Sequence, residues 1–173
     1  LSYSFSLKRK VLLDVQVLAG LYTIRIIAGT VAVSTPLSFW LLSFSIFIFL
    51  SLAIVKRYTE LLQLKKDKRG GSRGRGYEVA DIELLSSLGG SAGYISVLVM
   101  ALFINSNQLT TKYSTPEFLW LMVPVMLYWI TRVWIIAHRG QMKDDPIVFA
   151  IKDKISLFIA ILVAIILFLA VNV

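Results

Sequence analysis

Residues 37–55 read LSFWLLSFSIFIFLSLAIV, nineteen residues without a charge, and are followed at once by Lys56 and Arg57. A run of that length matches a hydrocarbon core of about 30 Å crossed at about 1.5 Å per residue. Lipid offers the backbone no hydrogen-bond partners, so the run is read as a membrane-spanning helix whose cationic end marks a boundary. Four further runs are apolar enough, and long enough or nearly so, to be read the same way, two of them carrying internal charges: Val11–Val33, Leu88–Ile104, Phe118–Ala137 and Ile155–Val171. The expected fold is therefore all-α, a polytopic bundle of five spans with a loop at 56–87.

The cations fix an orientation. Lys8, Arg9 and Lys10 precede the first span, eight lie between Lys56 and Arg75, and Arg139, Lys143, Lys152 and Lys154 fall in the fourth connection. Lys112 alone lies in a connection of the opposite parity. Positive charge is retained on the cytoplasmic side, which places 1–10, 56–87 and 138–154 there and the 105–117 loop outside. Overall the chain is 57% apolar and 16% charged, with a net charge of +8 and a mean hydropathy of +0.77. The absence of cysteine excludes disulfides, thiolate zinc sites and cysteine nucleophiles, and the single histidine, His138, cannot alone build a multi-histidine metal site. The start at Leu1, without methionine or a basic n-region, reads as a segment of a longer chain. The Arg-Gly-rich run at 69–76 reads as a hinge before a short helix at 78–85; between two spans it is too short for a nucleic-acid arm, and no nucleic-acid partner is expected.

Charges within or beside spans are costly and mark sites. Asp14 and Arg25, eleven residues apart, share one helical face with Leu21, Ala28 and Ala32, which is expected to look into the bundle. At about 1.5 Å per residue the two charges stand about 16 Å apart and need separate partners. Tyr128, Arg132 and Arg139 form a stripe on the fourth span. Asp144 and Asp145, with Asp153 nearby and Arg139 and Lys143 beside them, have the composition of a magnesium-bridged phosphate site; a plain charged turn, or a helix start at Pro146, has the same composition. Lys56 and Glu60 are four apart, the spacing of an intrahelical ion pair. Lys56 and Arg57, at a helix end near water, are expected to contribute little to folding.

Tyr3-Ser4-Phe5-Ser6-Leu7-Lys8-Arg9 running into the Asp14 span, then Arg25-Ile26-Ile27-Ala28-Gly29, then Lys56-Arg57-Tyr58-Thr59-Glu60-Leu61, resemble the second half of the UbiA superfamily of intramembrane prenyltransferases. The likeness is nearest to the decaprenyl-phosphate phosphoribosyltransferase branch and to bacterial proteins in which a UbiA domain follows a soluble HAD-type domain. The segment from Arg132-Val133-Trp134 through His138–Pro146 to Phe149-Ala150 resembles the latter group in particular. The family's first aspartate-rich box, Asn-Asp-x-x-Asp-x-x-x-Asp, is absent, as is the second box of the aromatic prenyltransferases, which the Lys56-to-Glu60 segment replaces. The resemblance implies that 1–173 is the C-terminal part of a bundle of about nine helices in the bacterial inner membrane, with its active face cytoplasmic. The chain alone is then expected to be inactive, its partners being the remainder of its own longer chain and membrane lipids.

The implied activity is Mg2+-dependent transfer with a diphosphate leaving group. The lipid is either a polyprenyl phosphate that accepts a phosphoribosyl group or a polyprenyl diphosphate that donates to a small co-substrate such as an aromatic acid. Asp14 and Glu60 are the candidate catalytic carboxylates, Lys8, Arg9, Lys56, Arg57, Arg132 and Arg139 the candidate phosphate contacts, and Asp144 and Asp145 the candidate metal ligands. Asp14, Lys56, Arg57 and Arg132 are expected to share one cytoplasmic cavity. The competing reading is a non-enzymatic module, half of a lipid flippase or transporter; Pro124 is the one mid-span proline, whereas transporters usually carry several breaks.

Overall fold

The backbone of an apolar run can satisfy itself only as a helix in lipid, and all five runs are helical in the computed structural model, which describes residues 12–34, 38–66, 76–106, 115–142 and 145–172. The helices are α1 (Leu13–Ala32), α2 (Phe39–Lys66), α3 (Ile82–Ile104), α4 (Met122–His138), α5 (Pro146–Lys152) and α6 (Lys154–Asn172). Two 3-10 turns, Val79–Asp81 and Pro116–Leu121, lead into α3 and α4. Five stretches are long and apolar enough to cross a bilayer, and the chain is an all-α polytopic integral membrane protein.

The 56–87 loop is shorter than its charge implies. α2 continues for eleven residues beyond Val55, because Lys56–Lys66 contains no glycine or proline and is rich in leucine, lysine, glutamate and glutamine, all good helix formers. Its 28 residues span about 42 Å, well beyond the hydrocarbon thickness of about 30 Å. At the other end, the expected short helix at 78–85 joins the third span without a break. Glu78 and Asp81 make a reciprocal capping box, with the Glu78 N–H donating to Asp81 Oδ2 at 2.9 Å.

α2 is the axis on which α1, α3, α4 and α5 pack. Glycines allow the closest approach: a Cβ at Gly93 would lie 2.7 Å from Ile130 Cγ2 and 3.0 Å from Ser51 Oγ. Small residues set helix spacing in this way where lipid supplies no hydrophobic drive. Ser51 Oγ donates to the Gly89 carbonyl at 2.6 Å and accepts from Trp134 Nε1 at 3.2 Å, so one hydroxyl joins α2, α3 and α4. Trp129 Nε1 donates to Ser156 Oγ at 3.1 Å, tying α4 to α6. Val55, Tyr58, Leu61, Leu85, Val133 and Ala137 fill the end of the bundle near Lys56. Ile48, Val97, Met100, Ile130 and Ala170 belong to a second core cluster.

The face of α1 that carries Asp14 and Arg25 looks inward only at Asp14. From Leu21, 46% exposed, through Arg25, Ala28 and Ala32 it is open. Arg25 lies over the Tyr22 ring of its own helix, 5.0 Å from the centroid, a cation–π contact.

Candidate functional site

Where α2 leaves the apolar core, successive residues turn to different neighbours, and Arg57 faces α1. Its Nε bonds Asp14 Oδ2, and its Nη1 donates to Glu60 Oε1 at 2.8 Å and Oε2 at 2.7 Å. Asp14 is fully buried and Arg57 is 4% exposed, whereas Glu60 is 30% exposed. The expectation that Arg57 sits near water is therefore overturned: it is buried, and its guanidinium joins α1 to α2. A buried carboxylate needs such a partner, since an unpaired charge there is strongly destabilising.

Tyr77 completes the cluster. Gly76, with a φ of +71°, turns the chain inward. The Tyr77 hydroxyl donates to Asp14 Oδ1 at 2.6 Å and accepts from the Leu12 N–H at 2.8 Å. Leu12 itself holds a φ of +69°, a strained value for leucine, at the start of α1. Burial, then the hydrogen bond to Asp14, push the Tyr77 phenol above its ordinary range.

Lys56 points to α5 and pairs with Asp145, 89 residues away, while Glu60 takes Arg57; the four-residue spacing of Lys56 and Glu60 does not choose their bonds. Asp145 also caps α5, accepting from the Ile147 N–H at 3.1 Å, with Pro146 at the first helical position. The Asp153 end of the same connection works alike. Asp153 accepts from the Ser156 N–H at 2.8 Å and Oγ at 2.9 Å and binds Arg132 Nη1 at 2.7 Å and Nη2 at 3.1 Å. Burial alone would raise the Asp153 carboxyl; hydrogen bonds from Arg132 and Ser156 outweigh it and hold the carboxyl below its ordinary range. Arg132 also lies over Phe149, 5.9 Å from the ring centroid.

The structure thus joins Asp14, Arg57 and Glu60, with Lys56 bonded to Asp145 on the adjoining side of α2. Arg132 is bonded to Asp153, and Arg139 lies in a groove between α3 and α4. Both contacts of Arg132, to Asp153 and over Phe149, lie on α5 and its C-terminal cap, the helix whose N-terminus Asp145 caps. Lys8, Arg9 and Asp144 fall outside the described residues. His138 ends α4 and its Nδ1 is 2.8 Å from the Tyr58 hydroxyl.

Carboxylates suit magnesium when several oxygens converge with open lone pairs. Here Asp14 is occupied by Arg57 and Tyr77, Asp145 by Lys56 and the α5 cap, and Asp153 by Arg132 and Ser156. Among the described residues no three of Asp, Glu or His converge in a metal-holding group. The described carboxylates do not assemble a magnesium site by themselves.

No protein-family model matches the chain. It is 39% identical over 165 residues to an uncharacterised protein, y4nM, of Sinorhizobium fredii, covering 95% of this chain and 32% of that protein. It is 37% identical over 158 residues to the nodulation protein NoeC of Azorhizobium caulinodans, covering 90% of this chain and 50% of NoeC. The chain therefore spans a third to a half of the length of these relatives. Over 61 residues, 35% of the chain and 19% of the relative, it is 44% identical to a decaprenyl-phosphate phosphoribosyltransferase of Mycolicibacterium smegmatis.

Proposed function

We propose that this chain is the C-terminal part of a membrane transferase of the UbiA superfamily, acting at the cytoplasmic face of a bacterial inner membrane on a polyprenyl lipid with a diphosphate leaving group. The observation that carries the reading is the placement of Lys56, Arg57 and Glu60 together where α2 emerges from an apolar bundle. The 61-residue likeness to an enzyme named for phosphoribosyl transfer to decaprenyl phosphate supports phosphoribosyl transfer to a polyprenyl phosphate ahead of prenyl transfer to an aromatic acid.

Exposure sorts the roles. Lys56, about one-third exposed, is the cation within reach of a phosphate, and Glu60 the carboxylate within reach of an acceptor hydroxyl. Arg57, Asp14 and Tyr77 are positioning residues: Arg57 clamps Glu60 through both carboxylate oxygens and is itself held by Asp14, which Tyr77 fixes. Preorganised groups of this kind act on developing charge without reorganising at the moment of reaction. Asp14, Glu60 and Asp145 outnumber Lys56 and Arg57, so a bound diphosphate requires further positive charge. Lys8 and Arg9 are proposed to supply part of it. Magnesium, held by ligands beyond the described residues, would supply the rest by neutralising diphosphate oxygens.

The test uses the longer protein in membranes, comparing transfer from phosphoribosyl diphosphate onto polyprenyl phosphate with prenyl transfer from a polyprenyl diphosphate onto 4-hydroxybenzoate. Lys56→Ala is expected to lower kcat/KM about ten- to a hundredfold, the loss of one charge-assisted contact. A wild-type rate in Lys56→Ala would remove Lys56 from the site. Detection of neither reaction in the intact protein would favour a lipid flippase or transporter.

A further inference from the structure

A second polar constellation lies on another side of α2, turned away from Asp14. Between α3 and α4 runs a groove of about 490 Å3 floored by Tyr58 and Trp134, whose rings meet edge to face at 5.6 Å. Its end beside the α4 C-terminus is cationic. Arg139 is exposed there, and Gly140, with a φ of +68°, lies so close to Lys66 that a Cβ would meet the Lys66 Nζ at 2.6 Å. Neither cation has a carboxylate partner among the described residues.

His138 adds an exposed imidazole beside Arg139. The Tyr58 phenol, 2% exposed, bonds Nδ1 at 2.8 Å. In the tautomer in which the phenol donates, the imidazole hydrogen stands on Nε2, on the far side of an exposed ring. Toward mid-membrane the groove loses its charge. Gly90 leaves it open, since a Cβ added there would meet nothing within 4 Å. Tyr94 and Ile135 form apolar walls, the Tyr94 hydroxyl being satisfied by Thr131 Oγ1 at 3.1 Å.

The Arg139 cation and the exposed His138 ring at one end of the groove, with Lys66 beside the adjoining Gly140, continued by an apolar furrow into the hydrocarbon, reproduce the polarity of a phospholipid from headgroup to chain. We propose that this groove binds an anionic phospholipid of the surrounding membrane, its phosphate held by Arg139, Lys66 and His138 Nε2 and one acyl chain lying over Gly90. The site shares no residue with the transfer cluster and is tested without turnover.

The protein is reconstituted in phosphatidylcholine nanodiscs containing a small fraction of phosphatidylglycerol that carries a diazirine in one acyl chain, irradiated, and mapped by peptide mass spectrometry. Label is expected on the segments around Gly90–Tyr94 and Thr131–Ile135. It should fall about tenfold in the double variant Lys66→Ala/Arg139→Ala, from loss of charge-assisted contacts. It should fall similarly in Gly90→Leu, which fills the furrow and leaves the rim intact. Gly20→Leu, at another open glycine, should label as wild type. Equal labelling of the same peptides by a diazirine phosphatidylcholine, or wild-type labelling in both the rim variant and Gly90→Leu, would overturn the site. Displacement by millimolar inorganic phosphate would show a free-anion site and overturn the lipid assignment.

Discussion

Replacing Arg57 with alanine tests whether the two ends of α1 and α2 are held by charge. The substitution removes little apolar area, yet it strands Asp14, which is 0% exposed and keeps only Tyr77 as a bonded side chain among the described contacts. Breaking a buried pair by deleting one partner costs about 3–5 kcal/mol. Glu60, 30% exposed, is reached by solvent and adds little to that loss. Arg57→Lys should recover only part of it, because a lysine cannot serve Asp14 and both Glu60 oxygens with a fixed fork. Asp14→Asn should cost less than Arg57→Ala, and the Asp14→Asn/Arg57→Ala double variant less than the two losses added, by about 0.5–3 kcal/mol of coupling. The assay is unfolding of the purified chain in mixed micelles titrated with sodium dodecyl sulfate, followed by circular dichroism. Unfolding of Arg57→Ala within about 0.5 kcal/mol of wild type, the range of an ordinary surface substitution, would refute the buried network. So would strict additivity in the double variant.

Because the folded state holds the Tyr77 proton more tightly than the unfolded chain, its contribution is present below about pH 10 and is lost as pH rises beyond it; Tyr77→Phe should lack that alkaline loss in unfolding midpoints taken from about pH 8 to about pH 11. Asp153 is shifted the other way, so its contribution is present above about pH 4 and lost as pH falls through its lowered value. Acid titration of stability should therefore be shallower in Asp153→Asn. Gly93→Ala should destabilise by about 1–3 kcal/mol through overpacking against Ile130 and Ser51, whereas Gly90→Ala should unfold as wild type. For orientation, single cysteines at Lys65 and Ser106 should react oppositely with a membrane-impermeant thiol reagent in intact cells, Ser106→Cys being labelled; labelling of Lys65→Cys alone would invert the topology.

The five spans were legible because lipid leaves an apolar run of that length one backbone solution. Where the helices end was not, since hydropathy reports where hydrocarbon stops and hydrogen bonding decides where a helix stops. Lys56–Lys66 is polar enough to read as loop and helical by propensity. Asp14 and Arg57 stood out as charges at the edge of apolar runs, but their partnership required the packing of α1 on α2. Tyr77 carried no signal: a tyrosine after a glycine-rich run belongs to no periodicity, and its bond to Asp14 crosses 63 residues. For Lys56, local spacing pointed to Glu60, while α5 delivers Asp145 from the distant connection. Pro146 and Asp153 did contain the helix-start signature that the structure uses at α5 and α6.

The Asp14–Arg57 bond also bears on how the protein enters its membrane. An aspartate or arginine at the centre of an inserting helix costs up to about 2.5–3.5 kcal/mol, and less near the boundary where these two lie. α1 and α2 are joined by a short connection, so folding back as a hairpin brings both residues to one side of the bilayer before either must be released to lipid alone. Inserted together they present a neutral pair to the translocation machinery; inserted in sequence, α1 would wait in lipid with a lone carboxylate. Biogenesis of this segment is accordingly favoured as a two-helix unit, with α2 acting as the carrier that admits α1.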